Sequence, residues 1–252
     1  MSSAHLLYPN LLCLMIVIAP FVFAILFYIP APYGRYARPG WGPMINNRVG
    51  WLIMESPASL LMLIPFLLLS VNPLVYFFLC LWQLHYLHRA FIYPFSLKSR
   101  SLIPLSVIGM AFLFNIINAF LNGYYFSIYA DSYDSSYVYN WNFGVGLAIF
   151  LFGFWANKKS DYLLQNTKNK ESPVEYEIPT KFLYRYISCP NYFSESFQWF
   201  GWAVMTMAPP AWVFFIWTLA NLLPRAITHH RWYKENYANY PAKRKAFIPF
   251  IL

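Results

Sequence analysis

Apolar residues run through this chain in blocks too long and too unbroken to be one face of a soluble helix. Seven blocks stand out: Asn10–Ile29, Trp51–Ser70, Pro73–Pro94, Leu102–Tyr125, Phe143–Leu164, Phe197–Ala208 and Ala211–Leu223. A helix needs about 20 residues to cross the hydrocarbon core. The first five blocks predict membrane spans. The last two are short and parted by Pro209-Pro210, which predicts a tight helical hairpin reaching into the interface.

Composition agrees with the pattern. Of the 252 residues, 59% are hydrophobic and only 11% are charged, against about 25% charged in soluble domains. The expectation is an all-α integral membrane protein, one bundle over residues 1–252. The first block has no Lys or Arg before it and no small-x-small cleavage site after it, so it reads as a retained span rather than a signal peptide. Cys13, Cys80 and Cys189 are scattered and odd in number, which suggests neither a zinc knuckle nor a disulfide framework.

Charge gives an orientation. All 18 Lys and Arg fall in alternate connections: 30–50, the end of the third block and its loop, the end of the fifth block and its loop, and the C-terminal region. The intervening connections, near Val71-Asn72, over 126–142 and at Pro209-Pro210, have none, and 126–142 holds Asp131 and Asp134 instead. The positive-inside bias puts the basic loops in the cytosol. The expected architecture is a seven-transmembrane-helix bundle, N-terminus outside and C-terminus cytosolic. The net charge of +9 then belongs to the cytosolic face. It serves orientation and attraction to anionic lipid, and it would also suit an anionic ligand.

Polar groups inside apolar blocks must find partners or be expelled. In LWQLHYLHRAFIYP, residues 81–94, Tyr86, Arg89 and Tyr93 share one helical face, and Arg89 is expected to snorkel to the surface. His85 and His88 lack the third ligand that a catalytic zinc requires. Glu55 is the only carboxylate in the first four blocks. It could be a helix N-terminal carboxylate or a desolvated intramembrane acid. Asn115, Asn118 and Asn122 form a stripe on the fourth block, as interhelical hydrogen bonding would use. Asn157, Asp161 and Gln165 form another on the fifth. Arg225, His229 and Tyr233 are spaced to offer a guanidinium, an imidazole and a phenol on one face. Gly144-Val145-Gly146 has no third glycine in register, so a dinucleotide fingerprint fails. These features predict a polar, partly cationic cavity opening to the cytosol and leave the reaction open.

The blocks HYLHRAFIYP (85–94), NAFLNGYYF (118–126), NKKSDYLL (157–164), EYEIP (175–179), PNYFSESFQWFGWA (190–203) and HHRWYKENYANYPAKRKAFIPFIL (229–252) together resemble the steroid 5α-reductase family. The resemblance runs from Arg48 to the C-terminus. It implies a seven-helix enzyme that uses NADPH to reduce the 4,5 double bond of a 3-oxo-Δ4-steroid. By position it implies that Glu55 and Tyr86 bond the substrate's 3-oxo group. It likewise puts Asn157, Asp161, Tyr176, Asn191, Glu195, Arg225, His229 and Tyr233 at the cofactor, with Arg89, Arg100 and Asn118 as further candidates. Gln165, Lys168 and Glu177 stand where familiar members carry other residues, and Met110 replaces an arginine of some members. Related readings are a polyprenol or trans-enoyl-CoA reductase, an S-adenosylmethionine-dependent membrane methyltransferase, and a transporter. The expected partners are membrane lipids and a steroid or other hydrophobic molecule entering from the lipid, with no nucleic acid. A monomer is expected, multi-pass in a bacterial inner membrane or, in a eukaryote, the endoplasmic reticulum.

Overall fold

Each of the seven apolar blocks lies largely within a helix of the computed structural model, which describes residues 3–68, 72–98, 101–167 and 178–252. The helices are α1 (Ser3–Tyr28), α2 (Asn47–Leu68), α3 (Pro73–Leu87), α4 (Tyr93–Ser96), α5 (Leu105–Ile128), α6 (Trp141–Asn166), α7 (Pro190–Thr206) and α8 (Pro209–Asn236). A π-helical turn, His88–Ile92, joins α3 to α4. By length and apolarity, α1, α2, α5 and α8 are able to cross a membrane, and α6 with the bent segment before it makes up to five such spans.

Two features depart from the expected all-α pattern. Residues expected in a loop and at the head of the fourth block form strands β1 (Met44–Asn46) and β2 (Leu102–Pro104), paired antiparallel with Ile45 opposite Ile103. Leu102, expected to begin a span, is therefore in a strand. The last two helices are also longer than hydropathy suggested. α7 begins at Pro190 and not at Phe197; its first turns carry Asn191, Ser194 and Glu195, which a hydropathy reading scores as non-membrane.

The chain falls into two compact units. The first comprises Met1–Met15 and Ala31–Asn140. In it the β1–β2 ribbon ties the starts of α2 and α5 together. Asn47 N–H donates to Ser101 O at 3.0 Å, and Leu105 N–H donates to Pro43 O at 2.8 Å. From there α2 and α5 run in parallel: Gly50 faces Ile108, and Gly123 faces Met62 and Pro65. α3 returns antiparallel to α2. Its start is specified locally, with Asn72 accepting from Val75 N–H at 3.0 Å and Pro73 in the first turn. The π turn also has a local cause. Pro94 has no N–H and its ring crowds the carbonyl four residues back, so the helix widens and Tyr93 N–H bonds His88 O instead.

The second unit comprises Ile16–Pro30 and Trp141–Leu252. α6 and α7 lie antiparallel at very short range. A Cβ on Gly146 would sit 2.3 Å from Met205 N, and one on Gly201 would sit 2.4 Å from Phe150 N. Small residues at such a seam let backbones approach and pack, the main source of helix association in lipid. Trp199 and Trp202 bury themselves against Phe150 beside it. α7 ends with Met207 in the left-handed conformation at φ 51°, and Pro209-Pro210 open α8, which makes the anticipated hairpin. Pro224 lies inside α8 without ending it.

Candidate functional site

The polar residues gather into one cluster per unit. In the first unit, side-chain bonds join α2 to α3. Ser59 Oγ donates to Gln83 Oε1 at 2.7 Å, Gln83 Nε2 donates to Ser59 O at 2.8 Å, and Trp82 Nε1 donates to Ala58 O at 2.8 Å. This register has a consequence for the two expected catalytic residues. One turn back along α2 from Ala58 and Ser59 is Glu55, and one turn forward along α3 from Trp82 and Gln83 is Tyr86. In an antiparallel pair, those two therefore share one level and face the same seam. Tyr86 is buried, with its ring 4.8 Å from Trp82 and 5.0 Å from His85. Glu55 is half-buried and accepts from Asn115 Nδ2 at 3.3 Å.

Arg89 does not snorkel. It is buried, with its guanidinium 4.4 Å from the Trp51 ring and 4.7 Å from the Tyr93 ring. The two aromatic faces supply attraction that the lipid would not. Asn118 is buried on α5, where its Oδ1 accepts from Asn122 Nδ2 at 3.1 Å. Its own Nδ2 has no hydrogen-bond partner among the described residues. Met110 is 57% exposed on the outer face of α5, so it does not line this cluster. Among the described residues no three His, Cys, Asp or Glu side chains are grouped to hold a metal.

In the second unit, the α6–α7 seam brings together four of the residues expected at the cofactor. Asn157 Nδ2 donates to Asn191 O at 2.9 Å and approaches Glu195 Oε2 at 3.4 Å. Asn191 Nδ2 donates to Asp161 Oδ1 at 3.1 Å. Asn157 is 1% exposed, and its Oδ1 has no hydrogen-bond partner among the described residues. Tyr184, in the turn Phe182–Arg185, is buried below this group and donates to Ser160 O at 3.3 Å. Burial, with the charge of Asp161 adding to it, lifts the Tyr184 phenol well above its ordinary range, so it stays a donor.

Arg225 and His229 converge on a residue that sequence reasoning passed over. Arg225 Nη2 donates to Tyr192 OH at 3.1 Å, and the same phenol lies 3.4 Å from His229 Nε2. Only the packing of α7 on α8 singles Tyr192 out from the chain's other 20 tyrosines. Tyr233, one turn beyond His229, is buried and stacks on Tyr240 at 5.5 Å. Next to that stack, Ser188 Oγ lies 2.6 Å from His230 Nδ1 and 2.5 Å from Tyr240 OH, and donates to Lys245 O at 3.1 Å. Arg100 and Tyr176 lie outside the described residues.

Apolar helices able to span a membrane, with buried amide, carboxyl and guanidinium groups drawn into seams between them, define a membrane protein with a polar site inside its helices. The family comparison gives the chemistry. Residues 101–252 match the family model described as 3-oxo-5-alpha-steroid 4-dehydrogenase. The steroid 5-alpha-reductase DET2 of Gossypium hirsutum is 40% identical over the whole of both chains. The protein of that name from Arabidopsis thaliana is 37% identical over 89% of this chain and 88% of its own. The 3-oxo-5-alpha-steroid 4-dehydrogenase 1 of Bos taurus is 33% identical over 91% of each. The chain belongs to the steroid 5α-reductase family, a family of oxidoreductases, and such membership implies a nicotinamide cofactor.

Proposed function

We propose that this protein reduces the 4,5 double bond of 3-oxo-Δ4-steroids to 5α-dihydrosteroids with NADPH. The observation that carries this reading, in a chain of this family, is the register of the α2–α3 pair, which sets Glu55 and Tyr86 at one level of one seam. Reduction at C5 of an enone drives negative charge onto the C3 oxygen. A donor aimed at that oxygen in a water-poor site stabilises the charge most effectively. Tyr86 is the donor, and a neutral Glu55 donates alongside it or steadies the phenol. The carbanion character at C4 is then quenched by a proton.

The second cluster fits a nicotinamide dinucleotide. Arg225 suits a phosphate, Asp161 and Glu195 suit ribose hydroxyls or amide N–H groups, and the buried Asn157 Oδ1 is an acceptor awaiting a donor. When bound there, the reduced nicotinamide would supply the hydride. His229 and Asn191 orient the cluster, with Tyr233 behind it, and Arg89, Arg100, Tyr176 and Asn118 stand as further contacts. The orientation proposed is seven crossings with the N-terminus outside and the C-terminus cytosolic, in the endoplasmic reticulum of a eukaryote. The steroid enters a monomer from the lipid, and the anionic cofactor enters from the basic cytosolic side.

Purified protein in lipid nanodiscs, given NADPH and testosterone or progesterone, is expected to yield the 5α-dihydro product. Reduction of a polyprenol or an enoyl thioester with the steroids untouched would transfer the chain to that related chemistry. Stabilisation by S-adenosylmethionine and not by NADPH would overturn the reductase reading altogether.

A further inference from the structure

Asn115 stands on α5 with 4% exposure, and its amide makes two contacts to consecutive residues of α2. Nδ2 lies 2.6 Å from Met54 O and 3.3 Å from Glu55 Oε2. The sense of the amide follows from chemistry. A backbone carbonyl can only accept, so at 2.6 Å the group facing Met54 O must be the NH2 and not the amide oxygen. One N–H is taken by Met54 O. The other is directed to Glu55 Oε2.

A proline loosens the backbone ladder of α2 at this level. Pro57 has no N–H, which leaves Ile53 O without its helical donor, and Ser56 Oγ takes it up at 3.3 Å. The next carbonyl, that of Met54, faces α5 and meets Asn115. A packing role alone would be complete with that single bond. The second one reaches a carboxyl.

We infer that Asn115 is a positioning residue that fixes the hydrogen-bonding sense of the Glu55 carboxyl. Held by Nδ2, Oε2 is the accepting oxygen, and Oε1 is the oxygen that carries the proton of a neutral Glu55 and presents it to the substrate oxygen. This inference rests on the assignment of Glu55 to the 3-oxo group. It makes the fourth-block amide, not only the Glu–Tyr pair, part of what tunes turnover in this chain.

The test is a double-mutant cycle with a spectroscopic arm. Asn115→Leu keeps the volume and removes both N–H groups. It is expected to lower kcat about ten- to a hundredfold with KM little changed, as for loss of a bond to a charged or proton-bearing group. In a Glu55→Gln background the same change is expected to cost less than about twofold, because the carboxyl proton whose position Asn115 sets is gone. The infrared carboxyl band of Glu55, assigned by its loss in Glu55→Gln, is expected to shift in Asn115→Leu without substrate or cofactor present. Equal losses in both backgrounds with an unmoved band overturn the inference and leave Asn115 a packing residue. Wild-type turnover in Glu55→Gln overturns the catalytic assignment instead, and the band alone then decides whether Asn115 holds the carboxyl. Should Asn115→Leu fail to fold, Asn115→Asp serves. A neutral Asp has one donor, and with Met54 O taking it Glu55 loses the bond from position 115, so the same cycle and band shift are expected.

Discussion

Gly153 of α6 and Gln198 of α7 approach so closely that a Cβ on the glycine would lie 2.5 Å from the Gln198 backbone nitrogen. The obstacle is backbone, which cannot rotate out of the way. Gly153→Ala is therefore expected to push the α6–α7 seam apart at a cost of about 1–3 kcal/mol, the usual range for overpacking. Asn157 lies one turn along the same helix, so cofactor binding should weaken as well. Gly144 on the same helix has nothing within 4 Å of its would-be Cβ. Gly144→Ala should be neutral or slightly stabilising. Thermal unfolding in detergent, with the two variants side by side, checks both; equal melting points would remove the seam argument.

Glu55 and Tyr86 carry the proposed chemistry, and each has a conservative replacement that keeps its shape. Tyr86→Phe and Glu55→Gln are each expected to lower turnover by about 10²-fold, as for loss of an oxyanion donor. Steady-state kinetics on purified variants measures this. Near-wild-type rates in both would remove the pair from the mechanism.

Tyr192 gathers Arg225 and His229 through its phenol oxygen. Tyr192→Phe keeps the ring under the guanidinium, 5.1 Å from its centroid, but removes the acceptor. Cofactor affinity is expected to fall about tenfold, the equivalent of one hydrogen bond to a charged group, while steroid affinity stays within about twofold. Arg225→Ala and Asp161→Ala should each weaken NADPH more strongly in the same direction. Separate equilibrium titrations of the two ligands are the check; an unchanged dinucleotide affinity in all three variants counts against the second cluster.

Ser188 joins three parts of the C-terminal region: α8 through His230, the following loop through Tyr240, and the segment that pairs with Ile187 through Lys245. Burial raises the Tyr240 phenol above its ordinary range, with Ser188 and Arg244 opposing that rise. Ser188→Ala leaves buried polar groups short of a partner and is expected to cost about 1–3 kcal/mol. Limited proteolysis of residues beyond 236 should become faster while α6 and α7 stay protected. Unchanged cleavage and melting would make the contact incidental.

Much of this was legible in one dimension. Helix blocks follow from runs of apolar residues, because lipid-facing surface must be apolar whatever it packs against. The break at Pro209-Pro210 follows from backbone chemistry, since proline lacks an N–H. The start of α7 was not legible, because Asn191, Ser194 and Glu195 read as a loop until a partner helix is there to receive them. The same holds for the β1–β2 ribbon, whose two strands are short and over 50 residues apart.

By itself, then, the order of residues determined that this is a helical membrane protein of the steroid 5α-reductase family and which polar residues its spans must accommodate. Tertiary structure alone decided their partners: that Arg89 packs against two rings instead of reaching the surface, that Tyr192 unites Arg225 with His229, and that Asn115 reaches Glu55. Periodicity tells which face of a helix a side chain occupies. The rotation and register of the neighbouring helix, set here by glycine contacts and interhelical hydrogen bonds between distant positions, tell what that face meets.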